Sequence, residues 1–192
     1  MDVSIFSIVF NGLFISNILL TQFLGICPFL GVSKNLKNTL GMCSAISFVM
    51  VLSSIITWII YHLSLAVLHI TYLKTIVFIL AIASLVQFVE LFIKKKAPIL
   101  YESMGVFLPL IATNCAIMGV SLINIQKDYT FSFAIVNSLA TAAGYTIVMI
   151  LFACIRERMS NNNVPTSMKD LPIALITAGC MSIAFMGLAG IH

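Results

Sequence analysis

Charge is what this chain has least of. Lysine and arginine supply 10 of its 192 residues and aspartate and glutamate 6, so 8% is charged while 61% is hydrophobic. A water-soluble fold of this length needs far more polar side chains to cover its surface, and the mean hydropathy of +1.14 agrees. Histidine is scarce too. His62 and His69 flank a loop and His192 ends the chain, which leaves no histidine inside an apolar run to serve as an axial haem ligand. No P-loop, dinucleotide fingerprint or other soluble-enzyme motif occurs. Five cysteines without an extracellular domain do not make a disulfide framework. Linkers and low-complexity tracts are missing as well, so no soluble domain is expected.

What the chain does have is long apolar runs. A hydrocarbon core of ~30 Å takes about 20 residues to cross, and six runs qualify: residues 5–30, 39–61, 75–93, 100–124, 131–155 and 173–191. The first has no basic region ahead of it and no small-residue cleavage site, so it reads as a retained span. The expected fold is an all-α integral membrane protein of six transmembrane helices, forming a single transmembrane domain over 1–192. The apolar stretch after the second run, Leu63 to Leu68, extends that helix or lies in the interface. The longest polar stretch, 157–172, contains Asn161, Asn162, Asn163 and two prolines and reads as an irregular loop.

A net charge of +4 and a pI near 8.9 would suit nucleic acid, but the placement of the cations argues for a membrane. Lys34 and Lys37 follow the first span, Lys94, Lys95 and Lys96 the third, and Arg156, Arg158 and Lys169 the fifth. Only Lys74 and Lys127 fall in the other two loops. The positive-inside rule then puts the odd-numbered loops in the cytoplasm and both termini outside, with these cations acting as topology signals and headgroup anchors.

One motif occurs twice. Cys27-Pro28-Phe29-Leu30-Gly31-Val32-Ser33 and Cys115-Ala116-Ile117-Met118-Gly119-Val120-Ser121 both read C-x-x-x-G-V-S, in the first and fourth spans. The repeat unit is thus three spans, about 1–96 and 97–192. An odd number of crossings inverts the second copy, giving two inverted three-helix repeats about an axis in the membrane plane. Both motif spans carry helix breakers, Gly25, Pro28 and Gly31 in one and Pro109, Asn114 and Gly119 in the other, so helices 1 and 4 are expected to be broken. Interrupted segments in corresponding places of two halves point to a midplane site. Pro28 suits the first turn of a new half-helix, which places Cys27 where partial positive charge favours a thiolate. Cys27 and Cys115 are therefore expected to meet.

A thiolate in hydrocarbon is costly unless a metal takes its charge. Iron–sulfur clusters are generally held by four cysteines, and two come from this chain, so a second chain of the same fold is expected to supply the rest. Cys43, Cys154 and Cys180 share no motif and read as small apolar residues. Ser138-Leu139-Ala140-Thr141 reads as small-residue helix packing, and Glu90 and Glu102 as ion-pairing groups near the Lys94–Lys96 run, although an intramembrane acid is always a candidate for an ion path.

The stretches 23–34 and 105–116, together with Ile155-Arg156-Glu157-Arg158, Val164-Pro165 and Ile176-Thr177-Ala178-Gly179, closely resemble the membrane-subunit family of the Rnf electron-transport complex, to which the E subunit of the sodium-pumping NADH:quinone reductase is related. The Cys-Pro-Phe-Leu-Gly-Val-Ser form favours the Rnf side, and there the A subunit, while Ala112 departs from an expected Thr. The resemblance implies a six-span subunit of the bacterial cytoplasmic membrane, paired with a homologous, oppositely inserted subunit (the Rnf E type) and further complex subunits. It implies a [2Fe–2S] cluster shared between the pair, with Cys27 and Cys115 as the ligands from this chain. It implies electron transfer between ferredoxin and NAD coupled to Na⁺ or H⁺ translocation. Ferredoxin and NAD are then indirect partners of this chain, which is expected to bind neither NAD nor flavin itself. The alternatives are a secondary transporter with broken midplane spans and no redox centre, or a scaffold needed only for assembly.

Overall fold

The computed structural model describes residues 9–15, 17–33, 36–65, 74–96, 114–160, 165 and 168–189. Every regular element among them is helical. A π-helical turn, Asn11–Ile15, is followed by α1 (Ile26–Val32), α2 (Leu36–Ile60), α3 (Lys74–Lys96), α4 (Cys115–Gln126), α5 (Phe131–Ser160) and α6 (Leu171–Ala189). A second π-helical turn, Tyr61–Leu65, continues α2. The apolar run expected to extend that helix therefore does so as far as Leu65.

Two helices are long and apolar enough to cross a bilayer, over Asn38–Leu63 and Phe131–Ser160, and shorter apolar helices cover Ile76–Val89, Cys115–Gln126 and Leu171–Gly187. At 1.5 Å per residue, the 25 residues of α2 exceed the ~30 Å hydrocarbon thickness. Helix α5, with 30 residues, carries Arg156, Glu157 and Arg158 on its last turns. Helices α2 and α5 form the principal pair, with α4 against α2 and the first π-turn against α5 and α6. Met42, Ile46, Val49 and Met50 of α2 share one core with Tyr145, Val148, Met149 and Phe152 of α5, and with Ile117 and Val120 of α4. Outward-facing Phe48, Phe88, Leu91, Leu175 and Ile183 are exposed, the reverse of a soluble surface and the chemistry that lipid or a neighbouring subunit covers.

The expected first span, 5–30, differs most from a simple helix. From Asn17 to Gly25 the chain is out of the helix, with Phe23 and Gly25 in the left-handed region at φ 55° and 89°. Backbone groups freed at membrane depth need protein partners, and here they find them. Leu24 N–H donates to Ile18 O (3.1 Å) and Thr21 N–H to Asn17 O (2.9 Å), while Ser182 Oγ of α6 donates to Leu20 O (2.7 Å). Asn17 anchors the segment to α5, its Nδ2 donating to Gly144 O at 3.1 Å and its Oδ1 accepting from Leu19 N–H. Gly144 allows this approach, because a Cβ there would stand 2.9 Å from Leu13 O and 3.1 Å from Gly12 O.

The expected fourth span, 100–124, is described only from Asn114, and α4 begins at Cys115. Pro109 and Glu102 lie outside the described residues, as do His69, His192 and the side chain of Glu90. The remaining helices fall within a few residues of their expected limits.

Candidate functional site

The two motif cysteines open two separate helices. Cys27 is the second residue of α1 and is exposed; Cys115 is the first of α4 and is partly exposed. Asn114 caps α4, its Oδ1 accepting from Ala116 N–H at 3.0 Å, as an asparagine at this position does. Because the cap uses the amide oxygen, the Nδ2 donor points the other way.

Gly25 is where the two motifs meet. Its N–H donates to Cys115 Sγ at 3.2 Å, so the second motif's sulfur touches backbone two residues ahead of Cys27. A sulfur accepts such a bond better as a thiolate or metal ligand than as a thiol. Gly25 is also crowded. A Cβ on it would stand 3.1 Å from Tyr145 Cε2, 3.2 Å from Ala116 Cβ and 3.3 Å from Asn114 Oδ1. The left-handed φ and the packing both require glycine here.

Tyr145 of α5 closes the far side. Its ring is fully buried, and its hydroxyl lies within electrostatic reach of Cys27, Cys43 and Cys115 and close to the Asn114 side chain. Yet Tyr145 Oη and Asn114 Nδ2 are both buried without a hydrogen-bond partner. They approach one another but do not complete a bond. Nothing in the sequence singles out Tyr145, because an aromatic in an apolar helix carries no signal of what it faces.

The other end of α1 is held by Arg156. Its Nη1 donates to Leu30 O at 2.7 Å and to Ser33 Oγ at 2.8 Å, and Nη2 lies 3.6 Å from Asp170 Oδ1. Arg156 is 8% exposed. The sequence suggests a topology signal at headgroup level, but the structure makes this residue an internal clamp on the last turn of the Cys27 helix. Nearby, Phe29 stacks on Phe152 at 3.8 Å. Beside the clamp, Phe152, Arg156, Met159, Lys169, Asp170 and Thr177 line a small, partly open cavity of about 70 Å³.

The remaining candidates lie in separate settings. Cys43 is buried in the core, and Cys154 and Cys180 face outward on α5 and α6. His62 stacks on Trp58 at 4.0 Å, and Trp58 Nε1 donates to Tyr129 O, joining the end of α2 to the turn between α4 and α5. Ser138 takes part in a buried polar cluster. Asn124 Nδ2 donates to Ser54 Oγ (2.7 Å) and Ser138 Oγ (3.1 Å), and Asn137 Nδ2 donates to Asn124 Oδ1 (2.7 Å). These atoms satisfy one another as interhelical polar contacts in a membrane do. Among the described residues no group of three or more His, Cys, Asp or Glu side chains comes together to hold a metal ion.

The Rnf-Nqr family, described as Rnf-Nqr subunit, membrane protein, matches residues 5–192. The chain is 51% identical over 183 residues to the A subunit of the Na⁺-translocating ferredoxin:NAD⁺ oxidoreductase complex of Acetobacterium woodii, covering 95% of each chain. The A subunits of ion-translocating oxidoreductase complexes are similar: that of Syntrophotalea carbinolica is 47% identical over 184 residues (96% and 95% covered). That of Serratia proteamaculans is 49% identical over 177 (92% of each).

Proposed function

This chain belongs to the Rnf-Nqr family of membrane subunits, and on that premise we propose how it takes part in electron transfer. It is the A subunit of an ion-translocating oxidoreductase complex of the ferredoxin:NAD⁺ type, and it works with the other subunits of that complex. Beyond this, our reading is that Cys27 and Cys115 supply half the ligands of a [2Fe–2S] cluster, and that a homologous six-helix subunit supplies the other half. The observation that carries it is the bond from Gly25 N–H to Cys115 Sγ, which sets two motifs far apart in sequence at one spot.

The residues present suit such a group. Two thiols stand at helix openings, a backbone donor meets one sulfur, and two further buried donors, Tyr145 Oη and Asn114 Nδ2, await acceptors. A cluster generally takes four thiolates, so two leave it incomplete until another surface docks, and the exposed Cys27 side chain is where a partner can reach. Bound there, an iron–sulfur cluster supplies a one-electron carrier partway through the bilayer.

The protein's own part is positional. Arg156 and the Phe29–Phe152 stack hold the Cys27 helix, Asn114 starts the Cys115 helix, and Asn17 secures the unwound segment to α5. Apolar Phe29, Ile117 and Val120 of the two motifs keep water from that depth. The lysine and arginine bias supports odd-numbered loops in the cytoplasm and both termini outside the cytoplasmic membrane. The repeated motif supports two inverted halves, about 1–96 and 97–192, within a six-span domain.

The test is electron paramagnetic resonance of the reduced, purified complex. Cys27→Ser and Cys115→Ser should each abolish the same signal and ferredoxin-dependent NAD⁺ reduction, since serine is a poor substitute for a soft thiolate. Cys43→Ser, Cys154→Ser and Cys180→Ser should keep it. Expressed without its partner, this chain should purify with little iron; full iron occupancy in isolation would overturn the shared site.

A further inference from the structure

Two buried donors without acceptors beside two thiols call for an explanation. A buried donor left unsatisfied is destabilising, and membrane interiors rarely leave such groups unused. Asn114 cannot turn its amide over, because Oδ1 is committed to the Ala116 N–H. If its Nδ2 swung to Tyr145 Oη, the phenolic proton would still lack an acceptor. Three cysteines act on that hydroxyl electrostatically, Cys43 most and then Cys115 and Cys27, and the ring edge beside it packs on Gly25, whose own N–H holds Cys115 Sγ. Cys43 is a buried thiol deep in the α2–α5 core and a weak acceptor. Cys27 and Cys115 are the proposed cluster ligands.

We infer that Tyr145 and Asn114 are positioning residues whose O–H and N–H donate hydrogen bonds to the sulfur atoms of the group held at Cys27 and Cys115, and so raise its reduction potential. The inference rests on the shared-cluster reading. Its sign follows from charge: adding an electron makes the sulfurs more negative, so donors stabilise the reduced form more than the oxidised one. Gly25 N–H, already on Cys115 Sγ at 3.2 Å, is a third donor of the same kind, fixed in the backbone. Tyr145 is the member that side-chain chemistry can remove cleanly. Phenylalanine keeps the ring that packs on Gly25 and deletes only the oxygen.

The experiment is a redox titration of the assembled complex, followed by the paramagnetic signal that depends on Cys27 and Cys115. Tyr145→Phe should leave the signal and lower its midpoint, with the reduced-to-oxidised ratio at a given potential falling about tenfold, which is about 59 mV for one electron. Asn114→Asp, which keeps the capping oxygen and removes the donor, should shift it the same way. On the unmodified complex, electron–nuclear double resonance after exchange into D₂O should show several exchangeable protons coupled to the spin, and Tyr145→Phe should lose one of these couplings while that of Gly25 N–H remains. A purely structural role for Tyr145 would move thermal stability but not these couplings. An unchanged midpoint and unchanged proton coupling in Tyr145→Phe, with the signal intact, overturns the inference and leaves the cluster standing. A parental complex with no signal dependent on Cys27 and Cys115 overturns the cluster reading itself, and this inference with it.

Discussion

The two copies of the C-x-x-x-G-V-S motif are alike in sequence and are held in opposite ways. The second starts a regular twelve-residue helix, capped by its own Asn114, with Gly119 tucked under Leu24. The first sits on a seven-residue helix that follows an unwound segment, and almost everything holding it comes from elsewhere in the chain: Asn17 on Gly144, Ser182 on Leu20, Arg156 on Leu30 and Ser33. Even the matched residues have parted. Ser33 accepts from a buried guanidinium, whereas Ser121 bonds to its own helix at Ile117 O and approaches Ser53 Oγ. A duplicated motif can therefore keep a thiol in each copy while one copy stays self-supporting and the other depends on tertiary contacts.

That contrast predicts unequal sensitivity. Arg156→Ala should have the largest effect, about 3 kcal/mol, since it strips the end of α1 of its buried donor. Alkylation kinetics should then show Cys27 becoming much more reactive while Cys115 changes little; equal gains at both would mean that the copies are not held independently. Gly144→Ala comes next, about 2 kcal/mol, because the new methyl meets the Gly12 and Leu13 carbonyl oxygens, which are backbone and cannot step aside cheaply. Thermal unfolding in detergent measures it. The intermediate case is Gly25→Ala, at about 1–2 kcal/mol from the left-handed backbone alone. As it also pushes on Tyr145 and Asn114, it should disturb both motifs.

The sharpest comparison is the smallest. Gly31 and Gly119 occupy the same motif position, yet a Cβ at Gly31 meets nothing within 4 Å, while one at Gly119 stands 2.6 Å from Leu24 Cδ1. Gly31→Ala should be neutral or stabilise by up to about 1 kcal/mol through helix propensity. Gly119→Ala should cost about 1 kcal/mol, since the obstacle is the movable tip of a leucine. Melting temperatures of the two variants, measured side by side, decide whether the halves have diverged as described. Identical shifts would argue that they have not.

Much of the fold is legible in the apolar runs alone. The run 39–61 matches α2 at Leu36–Ile60, and the run 131–155 matches α5 at Phe131–Ser160. Apolar runs bounded by polar residues set such limits, because in a bilayer every backbone group must be paired within its own segment. Breakers at Gly25 and Pro28 mark the neighbourhood of the first interruption, but they do not show that it starts as early as Asn17. Asn17 leaves the helix because its amide finds Gly144 O and Leu19 N–H, partners that a linear reading cannot place.

The sequence by itself determined the membrane-embedded helical character, the family, and Cys27 and Cys115 as the residues to watch. Hydropathy, charge placement and a repeated motif are properties of neighbours along the chain. Only the tertiary structure decided that Gly25 N–H meets Cys115 Sγ, that Tyr145 and Asn114 bring unspent donors to the same spot, and that Arg156 clamps the end of α1. A side chain's hydrogen-bonding role depends on what distant helices bring within about 3 Å of it, and a tyrosine inside an apolar run, or an arginine at its end, looks the same whether it faces lipid, water or other protein groups.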